Sequence, residues 1–246
     1  MKKLVAYITS GYPEKSFSID LALALGESGV DTLELGVPFS DPVADGPLIE
    51  KASHEALKLG IKFEDVLEIS KAVAPKVDTL LMGYFNSFYQ QNMNKLIPHL
   101  RDIGINGLII PDLPHEEAVA YSEVFDSNNM SNISFVAPTD SEDRIKKIVQ
   151  NSKKFVYMVA YTGITGSGSA EDLQPSIISI KKHTSTPVYV GFGVNKKTAK
   201  DKVKGADGVI VGSAFVDIML KENLNYTQKI KECSELSKIL KDEINS

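Results

Sequence analysis

The sequence predicts an α/β protein of the (β/α)8 class, in which eight parallel strands close into a barrel inside a layer of helices. Short apolar runs alternate with helical patterns along the 246 residues, which is typical of right-handed βαβ units and a parallel sheet. There are eight such runs, and eight repeats in a chain of this length favour a closed barrel over an open doubly wound sheet. We therefore expect residues 1–246 to form a single barrel domain with extra helices.

Each predicted element rests on a local pattern. Strands are predicted where short apolar runs stand between turn residues, at 4–9, 32–35, 79–83, 107–111, 133–137, 155–159, 188–191 and 208–211. Helices are predicted where apolar residues recur at helical spacing, at 17–27, 48–59, 93–102, 116–127, 143–151, 177–183 and 196–203. The long interval after the second strand has room for an additional helix at 63–74, and the chain ends in an amphipathic segment at 226–244.

The composition argues against several classes of protein. The formal net charge of -5 is spread along the chain, which is not the footprint of a nucleic-acid-binding protein. No apolar stretch is long enough for a membrane span, and Gly11-Tyr12-Pro13 interrupts the short apolar N-terminal run, which we interpret as a strand and not as a signal peptide. The single cysteine, Cys233, cannot form an internal disulfide, and its helical spacing with apolar residues predicts a packed side chain. A reducing, cytoplasmic location suits this chain.

The most informative segment is LELGVPFSDPVADGP, residues 33–47. Side chains alternate between the two faces of a strand, so if Leu33 and Leu35 contact the surrounding helices, Glu34 faces the barrel interior. A buried strand favours apolar residues, and no turn or helix cap explains a carboxylate at this position. A Glu near the mouth of a cavity with a raised pKa is a usable general acid or base. Glu34 is therefore the first candidate catalytic residue.

Two aspartates in the loop after this strand allow more than one interpretation. Asp41-Pro42 and Asp45-Gly46-Pro47 are good turn sequences, and Pro47 suits the first position of a helix, so both aspartates could be turn or capping residues. The alternative is a second site carboxylate, for which Asp45 is the better candidate. The D-x-D-x-D-G pattern of calcium loops is absent, and no His or Cys pair has zinc-ligand spacing, so no metal site is predicted.

Three loops that contain glycine indicate an anion site on the same barrel face. They follow the last three strands, at 162–168, 191–193 and 212–213. Glycine allows a ligand to approach the backbone, and the helix that begins near Ala214 offers N–H groups to phosphate. Gly191 and Gly208 could equally be required only by tight turns.

The glycine-rich loop at 162–168 suggests a lid over the substrate. Lys and Arg are missing from these three loops apart from Lys196 and Lys197, which follow the second one, so backbone amides would hold most of the phosphate. Tyr157, on the sixth strand, could stack on a flat ring or pack in the core.

The chain resembles the α subunit family of tryptophan synthase. The resemblance rests on the 33–47 segment and extends over nearly the whole chain through LLMGYFN (80–86), IIPDLP (109–114), TGITG (162–166), GFGV (191–194) and GS (212–213). It implies a TIM barrel lyase of tryptophan biosynthesis, which cleaves indole-3-glycerol phosphate by a retro-aldol reaction to indole and glyceraldehyde 3-phosphate. The 33–47 segment is highly specific, whereas many phosphate-binding barrels share the glycine loops.

The resemblance also assigns roles to residues of this sequence. Glu34 matches the residue that protonates the indole ring carbon and removes the hydroxyl proton, and Asp45 matches the carboxylate that binds the indole N–H. Glu34 is expected in an apolar barrel with a raised pKa, and Asp45 on a wetter loop, ionised. The other matches are substrate-lining or phosphate-binding positions: Tyr157, Thr165, Gly166, Phe192, Gly193, Gly212 and Ser213, with Thr165 as the lid threonine that contacts the loop aspartate.

By the same resemblance the chain works in an α2β2 heterotetramer. Indole passes through a tunnel to a β subunit that carries pyridoxal phosphate, and this chain itself needs no cofactor. Residues 38–45 and 84–88 match the docking surface, and the Phe85-Phe88-Tyr89 cluster would suit a partner or pack beneath a helix. Tyr161 departs from the family, which often has an arginine there, and leaves lid behaviour open.

Two other functions are compatible with parts of the sequence. A sugar-phosphate isomerase or epimerase would use the same glycine loops, but it would not need an aspartate placed for an indole nitrogen. A non-catalytic regulatory subunit would bind ligand and activate a partner, and intact Glu34 and Asp45 argue against it.

Overall fold

The strands form one parallel sheet that is rolled into a barrel. A computed structural model describes residues 1–159, 173–191 and 193–246 of the chain. The strands are β1 (Lys3–Thr9), β2 (Thr32–Gly36), β3 (Thr79–Met82), β4 (Gly107–Ile109), β5 (Ser131–Asn132), β6 (Ser134–Val136), β7 (Val156–Val159), β8 (Val188–Gly191) and β9 (Gly208–Val211). Their order in the sheet is β5-β4-β3-β2-β1-β9-β8-β7-β6, and each neighbouring pair is parallel.

The ring closes through the predicted fifth strand, which is present in two parts. β5 pairs with β4 on one side, and β6 pairs with β7 on the other. Only Ile133 separates the two parts, and its N–H donates to the carbonyl of Leu108 at 2.9 Å. The two ends of the sheet are therefore consecutive in the chain, and the predicted eight-stranded parallel barrel is confirmed.

The helices surround this ring. They are α1 (Lys15–Glu27), α2 (Pro47–Lys58), α3 (Phe63–Val73), α4 (Phe85–Tyr89), α5 (Met93–Asp102), α6 (His115–Ala118), α7 (Ser122–Ser127), α8 (Glu142–Val149), α9 (Gln174–His183), α10 (Ala199–Lys202), α11 (Ser213–Leu220) and α12 (Tyr226–Glu243). The single helix predicted at 116–127 is wrong in detail, because a 3₁₀ turn at Val119–Tyr121 separates α6 from α7. Pro47 occupies the first turn of α2, as its fixed φ favours. Within the described ranges, no helix has the length and apolar character needed to cross a membrane.

Alternation along the strands produces two separate apolar layers. Leu33 and Leu35 belong to the layer between strands and helices, which also includes the buried Cys233 of α12. The barrel interior has its own cluster, formed by Val5, Leu80, Ile109, Ile133, Phe155, Tyr157, Tyr189 and Ile210. Glu34, the residue between Leu33 and Leu35, must therefore face inward.

Two tyrosine rings inside the barrel lie across glycines of the neighbouring strand. A Cβ added to Gly36 would lie 2.5 Å from Cζ of Tyr7, and a Cβ on Gly191 would overlap the hydroxyl end of Tyr157. Both glycines are buried strand residues. Only a residue without a side chain leaves room for the ring at these two positions.

The floor of the barrel, at the amino ends of the strands, is joined by a polar network. The carboxylate of Asp78 accepts hydrogen bonds from Thr32 Oγ1 at 2.6 Å, Asn106 Nδ2 at 2.7 Å and Lys154 Nζ at 2.8 Å. Burial alone would raise the pKa of Asp78, but these hydrogen bonds, that of Lys154 foremost, hold it below its ordinary value. Asp78 precedes β3 and Lys154 precedes β7, so this ion pair crosses the floor.

Candidate active site

Glu34 lies inside the barrel, as the alternation predicts. It is only 2% exposed, and it stands opposite Tyr7 in the β1–β2 register. Its Oε1 atom is buried and has no hydrogen-bond partner within the described part of the chain. Burial, together with the negative charge of Asp45, raises the pKa of the Glu34 carboxyl from 4.5 to about 8. At neutral pH this side chain is therefore a protonated acid that can give up a proton.

Asp45 lies at the end of the loop that connects β2 to α2. Its Oδ2 atom accepts a hydrogen bond from the hydroxyl of Tyr84 at 3.1 Å. Burial raises the pKa of Asp45 from 3.8 to about 6, with the Tyr84 hydrogen bond opposing and the charge of Glu50 adding to the rise. Asp45 is ionised at pH 7, as expected, but its surroundings are less wet than expected, because the wall of a cavity covers much of the carboxylate.

The loop that carries Asp45 is attached to the barrel at several points. The hydroxyl of Ser53 on α2 accepts from the amide of Phe39 at 2.7 Å and donates to its carbonyl at 3.0 Å. The ring of His54 contacts the carbonyl of Ser40 at 2.9 Å. Asp41 is exposed and lies outside the cavity lining. Asp45 closes a backbone turn, because its N–H donates to the carbonyl of Pro42 at 2.9 Å, and its side chain also lines the cavity.

A cavity of about 370 Å³ opens at the carboxyl ends of the strands and brings the predicted residues together. Of the predicted site residues that the structure describes, all line it: Glu34, Asp45, Tyr157, Gly193, Gly212 and Ser213. Tyr157 is also stacked on Phe135, with ring centroids 4.8 Å apart, so it is both a core aromatic and a cavity wall. The remaining predicted residues, Thr165, Gly166 and Phe192, lie outside the described residues, as do Tyr161 and the predicted lid.

The opposite wall of the cavity presents backbone amides. Gly212, Ser213 and Ala214 line it at the N-terminus of α11, where the first N–H groups of a helix have no intrahelical acceptor. Gly193 has a positive φ of 65°, a conformation that favours glycine. Thr198 braces this loop, because its hydroxyl donates to the carbonyl of Gly193 at 2.9 Å. An oxyanion at this wall would meet N–H donors and the positive end of the helix dipole.

Several cavity residues were missed by the sequence analysis. Tyr7, Met82 and Ile210 line the cavity beside Glu34, and their inward strand positions are the signal that could have identified them. The ammonium group of Lys202 lies behind Gly193, since a Cβ on that glycine would be 3.2 Å from Nζ. No pattern in the sequence indicates this approach. The described residues contain no cluster of three or more His, Cys, Asp or Glu side chains that could hold a metal ion.

The aromatic cluster of α4 divides between core and surface. Phe88 is fully buried and packs edge-on against Phe63, with centroids 6.1 Å apart, whereas Tyr89 is 60% exposed. Only part of the Phe85-Phe88-Tyr89 cluster is therefore available to a partner.

A parallel barrel that gathers a protonated acid and an ionised carboxylate in one cavity, opposite a wall of amide donors, belongs to the class of (β/α)8 enzymes that use acid–base chemistry. A family model described as tryptophan synthase alpha chain matches residues 1–245. The chain belongs to the tryptophan synthase alpha chain family.

Individual relatives agree over almost the full length. The tryptophan synthase alpha chain of Wolinella succinogenes is 51% identical over 247 residues, covering 100% of this chain and 97% of the relative. That of Thermoanaerobacter pseudethanolicus is 39% identical, covering 98% and 93%. Among solved structures, tryptophan synthase subunit alpha from Campylobacter jejuni has a TM-score of 0.86 at 34% identity, covering 96% of this chain and 95% of that chain.

Proposed function

We propose that this chain cleaves indole-3-glycerol phosphate to indole and glyceraldehyde 3-phosphate, with Glu34 as the general acid and base and Asp45 as the carboxylate that binds the indole N–H. The family is that of a lyase in tryptophan biosynthesis. The observation that carries the residue assignment is the pair of cavity carboxyls, whose pKa values of about 8 and about 6 lie on opposite sides of neutrality. One group is therefore ready to donate a proton while the other is ready to stabilise positive charge.

The proton transfers balance within this pair. Glu34 gives its proton to C3 of the indole ring, and Asp45 stabilises the positive charge that develops at the ring nitrogen. The Glu34 carboxylate then takes the proton of the hydroxyl on the adjacent carbon. The bond from C3 to that carbon breaks, its electron pair restores the aromatic ring, and the carbon becomes the aldehyde of glyceraldehyde 3-phosphate. Glu34 ends the cycle protonated, as it began.

The amide wall supports the placement of the phosphate. We place it against Gly193, Gly212 and Ser213, where α11 begins. A dianion there gains hydrogen bonds from backbone N–H groups and the field of the helix. Thr165, Gly166 and Phe192 complete the proposed substrate contacts on the basis of the family resemblance.

Two substitutions test the assignment of the carboxyls. Glu34→Gln and Asp45→Asn should each lower kcat for indole release by about 10²- to 10⁴-fold while the protein stays folded. Asp41→Asn is the matched control, because Asp41 lies in the same loop but outside the cavity lining. If the Glu34→Gln protein retained more than about a tenth of wild-type turnover, Glu34 would be removed from the mechanism.

Substrate assays separate the alternatives. Wild-type protein should form indole from indole-3-glycerol phosphate and leave ribulose phosphates unchanged. Turnover of the sugar phosphates without indole formation would support an isomerase. Activation of a β subunit without any cleavage by this chain would support the regulatory alternative.

We further propose that the mouth of the barrel binds a tryptophan synthase β subunit in an α2β2 heterotetramer. Two exposed apolar side chains on the segments that follow β2 and β3 support this docking surface: Val43, on the loop that carries Asp45, is 84% exposed, and Tyr89 of α4 is 60% exposed. Exposed apolar and aromatic side chains of this kind are enriched at interfaces. Indole made in the cavity would pass to the pyridoxal phosphate of the β subunit, and this chain would need no cofactor of its own. Its one buried cysteine suits a cytoplasmic location.

A charged residue on this surface should separate docking from catalysis. Val43→Asp should weaken activation by the β subunit at least about tenfold, because a charge in an apolar interface must be desolvated. Ile239→Asp, at a 46% exposed position on α12, is the control. If activity rose with added β subunit in the same way for both variants, Val43 would be excluded from the interface.

A further inference from the structure

We propose that Tyr84 is a positioning residue for the cleavage reaction: its hydroxyl joins the amide of Ala44 to the carboxylate of Asp45 and holds that carboxylate facing the cavity. This inference rests on the proposed function and adds a residue to it.

The first observation is the pair of hydrogen bonds at one oxygen. The Tyr84 hydroxyl accepts from the backbone N–H of Ala44 at 2.9 Å and donates to Oδ2 of Asp45 at 3.1 Å. A hydroxyl has one proton to donate, and because the Ala44 amide occupies the oxygen as a donor, that proton is directed to the carboxylate. One side chain thus fixes the backbone and the side chain of adjacent loop residues.

The second observation is that Tyr84 itself cannot easily move. It is 2% exposed and stacks on Phe39 of the same loop, with ring centroids 5.2 Å apart and planes inclined by 18°. Immediately after it, the amide of Phe85 donates to Oδ1 of Asp112 at 2.8 Å, which holds the start of α4. The loop is therefore held at both ends: Tyr84 contacts Phe39 near its beginning and Asp45 near its end.

The third observation concerns Oδ1 of Asp45, the carboxylate oxygen that Tyr84 does not contact by a hydrogen bond. Among the residues that the structure describes, none donates a hydrogen bond to Oδ1 of Asp45, and Asp45 lines the cavity. The Tyr84 bond lowers the pKa of Asp45 against the larger effect of burial. It consequently favours the ionised state in which Oδ1 can accept from an indole N–H.

The test is the pH dependence of kcat/KM for indole formation by Tyr84→Phe. Loss of a hydrogen bond to a charged group should move the acid limb of the profile upward by about one pH unit. Activity relative to wild type should then fall about fivefold more at pH 6 than at pH 8. A substitution that only loosened the fold would lower activity at all pH values alike.

Two controls separate position from charge. Tyr226→Phe removes a hydroxyl that donates to Asp20 Oδ2 at 2.8 Å, on the outer face of the barrel, and should leave the profile unchanged. Ser53→Ala removes a different attachment of the loop, at Phe39, without touching Asp45. It should lower kcat or raise KM without moving the acid limb.

The outcomes distinguish this proposal from the proposed function. If wild-type protein forms no indole, the proposed function fails. If wild-type protein is active and the Tyr84→Phe profile superimposes on it after scaling, only the role of Tyr84 fails. Should Tyr84→Phe not fold, the wild-type protein with ¹³Cζ-labelled tyrosine gives the answer. The Tyr84 signal should titrate with the midpoint of the acid limb, and a signal that does not move across that limb overturns the proposal.

Discussion

The substitution Glu34→Gln should make the protein more stable at alkaline pH while it abolishes cleavage. Glutamine has nearly the same shape as a protonated glutamate, but it never ionises. Burial raises the pKa of the Glu34 carboxyl to about 8 in the folded chain, against 4.5 for an exposed glutamate. The native state of the wild type therefore carries a cost above pH 4.5 that the variant lacks.

The magnitude follows from the difference between these two pKa values. Between pH 4.5 and 8 the folded state binds more protons than the unfolded state, so the free energy of unfolding falls as pH rises. Each pH unit corresponds to about 1.4 kcal/mol, which gives a loss of about 3 kcal/mol by pH 7 and about 4 kcal/mol by pH 8, where Glu34 is half ionised in the folded state. Glu34→Gln should recover most of this loss at pH 8 and little of it at pH 5.

Urea unfolding of both proteins at pH 5, 7 and 8 measures the effect. Glu64→Gln, at an exposed position on α3, is the matched control for the loss of a carboxyl group. An equal gain in free energy of unfolding on Glu34→Gln at pH 5 and at pH 8 would refute a raised pKa for Glu34. That result would mean that the buried carboxyl ionises as easily as an exposed one.

Three further outcomes are expected. Indole formation by the wild type should follow a bell-shaped pH profile with a maximum at about pH 7, because Asp45 has a pKa of about 6 and Glu34 a pKa of about 8. A profile without an alkaline limb would contradict the role of Glu34. Gly36→Ala should lower the melting temperature by several degrees and raise KM, because its Cβ would lie 2.5 Å from Cζ of Tyr7. Gly46→Ala, with nothing within 4 Å of the added Cβ, is the control, and equal effects of the two would refute the steric argument. Lys154→Met should lower the free energy of unfolding by about 1 to 2 kcal/mol, because it removes a hydrogen-bond donor from the Asp78 carboxylate. The kcat should stay within about twofold of wild type. A large loss of kcat would show that the ion pair at the barrel floor influences the active site.

Those features of the fold and site that depend on local periodicity could be predicted from the sequence. The alternation of Leu33, Glu34 and Leu35 indicates an inward carboxyl, and the structure places it there with 2% exposure. A parallel barrel then brings all carboxyl ends of its strands to one face. Gly193 and Gly212 could for this reason be assigned to the same cavity as Glu34 although they are distant in sequence.

What could not be predicted depends on contacts between distant residues. Tyr84 and Asp45 are 39 positions apart, and neither sequence context indicates their hydrogen bond. The pKa of Asp45 is raised because of the cavity wall, which exists only after folding. The break between α6 and α7 and the interruption at Ile133 are also invisible in the apolar pattern, which continues through both.

The tyrosine rings that lie across glycines have a consequence for the redesign of this barrel. Because the ring of Tyr7 fills the volume that position 36 leaves empty, the side chains at these two positions compete for the same volume. A bulky residue at position 36 becomes acceptable only with a small residue at position 7. Such an exchange would move side-chain volume from β1 to the neighbouring strand β2. Engineers who wish to admit a substituted indole should therefore vary the two positions jointly, since a library that changes either alone yields clashes or holes.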